Sequence, residues 1–224
     1  LDFGSTLSKT ANPGSPKHVS SILIYADIEM TITELYHKLD DKDFQNHLTG
    51  NLFFPAYMYL YDPTKEYEID AEIQNIKERL HRPTNYLDVM VLDIFEEFQA
   101  FLQTQRFGNA SKLDFFLQQE ISKPDQVEKS LRQAAHDDRF YTWLHEKIQQ
   151  HFHTAGDAQV AFVFVKGFGA IYPYMRASKF MSNFEKYIHG YKLILFYPGE
   201  AREYYHLFKL LNDENLYRAI RLIN

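Results

Sequence analysis

Four runs of this sequence, residues 53–61, 86–92, 159–165 and 192–197, are apolar at nearly successive positions rather than at every second one. Side chains of a strand point alternately to its two faces, so a run of this kind has to be covered on both. Helical spacing fills the gaps between the runs. Ile69, Ile73, Ile76 and Leu80 fall on one face of a helix over Glu66–His81, and Ile94, Phe95, Phe98 and Leu102 on one face over 93–105. Phe180, Met181, Phe184 and Tyr187 do the same over 178–188. Strands buried on both faces and alternating with helices predict an α/β fold. Its mainly parallel sheet should have about five strands, the last over 217–223, with helices on both faces.

Local signals mark the boundaries. Thr31 followed by Glu34 fits a capping box, and Ile32, Leu35, Tyr36 and Leu39 continue it with helical spacing. Residues 1–17 carry Gly, Ser, Thr, Asn and Pro in loop-like clusters, so 1–29 are expected to be a leader or added extension and 30–224 one domain. Residues 19–26 have the composition of an edge strand. Pro63 closes the first strand and suits the first turn of the next helix, where its missing N–H costs nothing. Residues 111–153 should be largely helical with a break at Pro124. Their expected inward stripes are Leu113, Phe116, Leu117 and Ile121, then Trp143, Leu144 and Ile148. The stretch 106–157 is therefore a helical insertion, and a short helix is expected over 204–211. There is no internal repeat.

Composition narrows the function classes. Of 224 residues, 45% are hydrophobic and 16% aromatic, enough for a core without disulfide or metal staples. Cysteine is absent, which removes disulfides, thiolate zinc sites, iron–sulfur clusters and a cysteine nucleophile. The net charge of −6 argues against a protein whose main task is coating nucleic acid. The charge is uneven: 13 basic and 22 acidic residues lie in 30–159, but 9 basic and 5 acidic in 160–224. The C-terminal part would suit an acidic partner. No run of 18 apolar residues and no signal-peptide pattern occurs, so a cytoplasmic protein without membrane association is expected.

The chemical motifs are incomplete. Gly167-Phe168-Gly169 follows a strand, but a dinucleotide fingerprint would need Gly where Tyr172 stands, and no Gly-Lys-Ser/Thr phosphate loop occurs. Two glycines there also suit a tight strand-to-helix turn with positive φ. Val89-Met90-Val91-Leu92-Asp93 has the look of a magnesium-holding strand without its phosphate-binding partner, and Asp93 fits a helix cap. His145 and Glu146 begin a zincin-like pattern in which Gln149 replaces the second histidine, while His151 and His153 are two apart and do not share a helix face. These histidines read as surface residues. No metal and no cofactor are implied.

Residues 160–224 carry a recognisable series: Gly167-Phe168-Gly169-Ala170-Ile171-Tyr172-Pro173-Tyr174-Met175-Arg176, then Phe196-Tyr197-Pro198-Gly199-Glu200, then Leu207-Phe208 and Tyr217-Arg218-Ala219. The series resembles the BrxB family of bacterial BREX phage-defence systems. That pattern runs a strand into Gly-x-Gly-x-x-Tyr-Pro-x-x-Arg, another into Phe-Pro-Gly, and closes with Leu-Phe and Tyr-Arg-Ala. Tyr61-Asp62-Pro63 and Glu66 resemble its early strand-to-helix turn, so the likeness spans about 30–224. Ala201 and Leu216 depart from it, at places where aromatics are common. The resemblance implies a non-catalytic assembly protein that binds a PglZ-like member of the alkaline phosphatase superfamily and other BREX components. Association with DNA would then be indirect.

Ligand and partner surfaces of a parallel sheet lie past the carboxyl ends of its strands. The loops at 62–66, 93–97, 166–176 and 198–203 should therefore share one rim. The candidate partner- or anion-binding residues are Asp62, Glu66, Gly167, Gly169, Tyr172, Pro173, Arg176, Pro198, Gly199 and Arg218. Pro173 keeps Tyr172 extended, and Arg176 then sits at a helix start, where a cation needs a carboxylate or a ligand beside it. Asp62, Glu66 and Asp93 are the internal candidates. The strand-end glycines and the basic C-terminal part also admit a degenerate P-loop-like domain that binds nucleotide or nucleic acid.

Overall fold

The computed structural model describes residues 30–45, 56–154 and 161–201, with short strands at 205–207, 211–212 and 220–221. The readings made for 1–29, the strand starts at 53 and 159, and Arg218 lie outside the described residues. Helices α1 (Ile32–Asp40) and α2 (Lys42–Gln45) precede β1 (Ala56–Tyr61), α3 (Glu66–His81) and β2 (Asp88–Asp93). There follow α4 (Ile94–Thr104), the hairpin β3 (Arg106–Phe107) and β4 (Ala110–Ser111), α5 (Lys112–Glu120), α6 (Pro124–Ala135) and α7 (Asp138–Thr154). The chain continues through β5 (Ala161–Lys166), α8 (Phe168–Ile171), α9 (Ala177–Phe184), β6 (Lys192–Ala201), β7 (Tyr205–Leu207), β8 (Leu211–Asn212) and β9 (Ile220–Arg221).

Five strands pair in parallel in the order β2-β5-β6-β1-β9, as the unbroken apolar runs require. Strand alternation divides the core into two layers. Met58, Leu60, Val163, Val165, Leu193 and Leu195 face one layer with Phe98, Phe140 and Phe180. Tyr59, Tyr61, Phe162, Phe164, Ile194 and Phe196 face the other, under Leu35, Leu39, Ile73 and Leu80. The α1 start is the expected capping box: Thr31 accepts from the Glu34 N–H, and the Glu34 carboxylate accepts from the Thr31 N–H at 2.7 Å. Pro63 opens a 3-10 turn, Pro63–Lys65, that leads into α3. Lys192 is a buried cation, 6% exposed, with its ammonium 4.0 Å from the Phe44 ring centroid.

The structure corrects four expectations. Within the helix expected over 204–211, the described residues Tyr205–Leu207 and Leu211 are strands instead: β7 pairs antiparallel with the end of β6 (Gly199↔Leu207, Ala201↔Tyr205), and β8 pairs with β7. Adjacent tyrosines suit a pleated surface better than a short isolated helix. Strand β6 does not stop at Pro198-Gly199; β7 takes over its pairing and carries it to Ala201. The insertion is not all helix, since it includes the β3–β4 hairpin. Of its first stripe only Phe116 is buried, while Leu117 is 57% and Ile121 91% exposed. Of the second stripe, Leu144 and Ile148 are fully buried in the layer under the sheet, while Trp143 is half-buried against it, beside the fully buried Phe140.

Candidate functional site

Parallel pairing aligns the carboxyl ends of β2, β5, β6 and β1, and register shows which residues meet there. Asp93 pairs with Lys166, and Tyr61 with Pro198. The turns leaving β1, β2 and β5 lie at this rim, whereas the fourth expected loop, 198–203, is strand β6 as far as Ala201. Asp62 caps the turn after β1, accepting from the Thr64 N–H at 2.9 Å and its hydroxyl at 2.8 Å. Asp93 caps α4, accepting from the Phe95 and Glu96 N–H groups at 3.0 and 3.2 Å.

The rim is fastened by groups remote in sequence. Lys166 donates to Asp70 at 2.8 Å and pairs with Asp93 at 3.4 Å, linking β5, α3 and the cap of α4. Burial alone would lower the Lys166 pKa, but Asp70 and then Asp93 outweigh it and hold the ammonium above the ordinary lysine value. Beside it, the Tyr61 hydroxyl donates to Glu66 at 2.7 Å. Burial first, and then Glu66, push the Tyr61 hydroxyl up; burial raises Glu66 as well, against the Tyr61 hydrogen bond.

The sign of the Lys166 shift sets a pH window. A lysine whose folded pKa is raised contributes stability fully below its unfolded value, about 10.4, and loses it as pH rises through the folded value. Lys166→Met should cost about 1–2 kcal/mol at pH 7, between the exposed and buried limits for an ion pair. It should also flatten the loss of stability above about pH 10. Denaturant unfolding of both proteins at neutral and alkaline pH measures this. Parallel pH curves would remove the pair from the account.

The glycine pair divides. Gly167 adopts φ 85° and ψ 14°, the left-handed turn expected of it. Its lack of a side chain has a second reason: a Cβ there would collide with the Asp93 carboxylate, with Cγ only 3.0 Å away. Gly169 lies inside the helical turn α8 and needs no special φ. Tyr172 is extended (φ −62°, ψ 138°), as Pro173 demands, and the bond between them is cis. Tyr172 packs against the core, and the Pro173 carbonyl accepts from Arg132 of α6 at 3.0 Å. Arg176, half-buried with φ −112° and ψ 150°, precedes α9 and is engaged within the chain. Pro198 and Gly199 are buried in β6. Of the proposed residues, the structure thus gathers Asp62, Glu66, Gly167, Pro198 and Gly199 at the strand ends.

Lys166 and Asp70 are the rim residues that sequence reasoning missed; Tyr61 was read only as part of the turn after β1. Lys166 carried a signal, as the one charge ending an apolar strand before a glycine. Asp70 carried none: it lies 96 residues from its partner.

His145 and His151 are less exposed than expected, each half-buried. His151 Nε2 lies 3.1 Å from Asp88, and His145 stacks on Tyr187 with ring centroids 5.0 Å apart; His153 is exposed. Among the described residues no group of three His, Asp or Glu side chains is placed to hold a metal, and no helix is long and apolar enough to cross a membrane.

Residues 87–222 match the family model described as "BREX protein BrxB". A BREX protein BrxB of Bacillus cereus (strain H3081.97) is 25% identical over 206 residues, covering 88% of this chain and 98% of the relative. No solved structure matches this chain.

Proposed function

This chain belongs to the BrxB family of BREX proteins, and we propose on that premise that it is a non-catalytic, cytoplasmic assembly component of BREX phage defence that docks a PglZ-like partner through the strand-end rim. The observation that carries the reading is the internal fastening of that rim. Lys166 is held by Asp70 and Asp93, Glu66 by Tyr61, and Asp93 by the α4 cap. Turns tied to one another in this way form a preorganised surface, and preorganisation lowers the cost of binding a partner. Beside them Tyr67, in the first turn of α3, is 90% exposed. An aromatic ring on a rigid rim suits the centre of an interface.

A phosphate-binding role for the Gly167 turn is disfavoured by electrostatics. The Asp93 carboxylate occupies the space beside Gly167, and an incoming phosphate would meet it.

Tyr67→Ala on the rim and Ile121→Glu on the insertion alter exposed side chains and should leave the fold intact. Tyr67→Ala is expected to reduce recovery of the PglZ-like protein at least threefold in co-purification from cells carrying the whole system. Loss with Ile121→Glu alone would move the docking face to the insertion. Full recovery with both variants would contradict the proposal.

A further inference from the structure

A cleft of about 560 Å³ adjoins the rim. It lies between the start of α1, the carboxyl end of β1 and the first turns of α3. Tyr59, Leu60, Tyr61 and Ile69 form a buried floor, and Met30 and Ile32 are half-buried in one wall. The mouth is acidic: Asp62, Glu68 and Glu72 face it against one cation, Lys65. Glu68 is exposed and, among the described residues, has no ion-pair partner.

The volume falls within the range of specific binding pockets, about 300–1,000 Å³. It has room for a few side chains, not for a helix. Apolar floor and anionic mouth together select a particular shape of ligand. Arginine and lysine lay their methylene stems along apolar surface and keep the charged head at the polar edge. We infer that this cleft receives a short basic segment of a partner protein, with an arginine or lysine head at Glu68 and Glu72 and a neighbouring apolar side chain on the Tyr59–Ile69 floor. The assignment rests on the docking reading above and gives it a chemistry. It also places a cation-seeking surface on the acidic stretch 30–159, which carries 22 acidic and 13 basic residues.

The test uses the full chain and a fluorescein-labelled peptide of alternating arginine and leucine, followed by fluorescence anisotropy. Saturable binding is expected that weakens with salt and is absent when glutamate replaces each arginine in the peptide. Glu68→Lys with Glu72→Lys should weaken binding at least tenfold, and Glu68→Gln with Glu72→Gln at least threefold. Glu78→Lys with Glu120→Lys makes the same change in net charge away from the cleft and should weaken it less than twofold.

Absence of binding, or equal loss in the two lysine variants, overturns the inference. Displacement of the peptide by equimolar spermidine also overturns it, in favour of a free polyamine. Capture of the PglZ-like protein without peptide binding would remove the cleft and leave the docking reading standing. Peptide binding without any captured partner would do the reverse.

Discussion

Replacing Phe140 with alanine is expected to cost about 4 kcal/mol of unfolding free energy, within the range for a fully buried phenylalanine. Phe140 is 0% exposed, and its ring meets Phe98 edge-on at 5.4 Å, Phe101 at 5.2 Å and Trp143 at 6.4 Å. Collapse into the space left behind is opposed on several sides. Those rings come from α4 and α7, so the cavity would open between the insertion and the helix that leaves β2. For a chain of this length the loss corresponds to a fall in Tm of about 8–16 °C. Chemical denaturation should show one transition, displaced as a whole, because α7 shares the core layer of the sheet. A loss under 1 kcal/mol, or a separate early transition, would mean that the insertion folds as an independent appendage.

Gly167→Ala is the second large effect. The left-handed backbone costs a non-glycine residue about 1–2 kcal/mol. The new methyl must also displace the Asp93 carboxylate, which caps α4 and pairs with Lys166. Loss of a helix cap costs about 1 kcal/mol. The expected total is about 3 kcal/mol, or a Tm lower by about 6–12 °C. Gly169→Ala, inside the helical turn α8, should leave Tm unchanged or raise it by up to about 4 °C, since alanine is the better helix former by about 1 kcal/mol. Equal effects at the two glycines would contradict the assignment of the strained turn to Gly167.

Much of this architecture was legible because it is written in local periodicity. The two-sided apolar runs specified a parallel sheet, and Ile69, Ile73, Ile76 and Leu80 specified one buried face of α3. Caps read just as well, since Thr31 and Glu34 act within one turn. What failed was decided by tertiary pairing. Tyr205 to Leu207 became a strand because the end of β6 offered an antiparallel edge, and no local pattern announces that edge. Leu117 and Ile121 follow the spacing of a buried stripe, yet nothing covers them among the described residues. The rim followed the same division. Its position followed from strand direction, and Gly167 from turn chemistry. The ion pair from Lys166 to Asp70 joins residues that only the long crossover of α3 brings together.

The central claim is that the rim holds a partner protein. It is tested most directly by titrating the purified chain with the purified PglZ-like protein of the same defence system in a calorimeter. Saturable one-to-one binding that Tyr67→Ala weakens at least fivefold, with an unchanged Tm, is the predicted result. No heat of association, or one equally strong with Tyr67→Ala and Ile121→Glu, would contradict it.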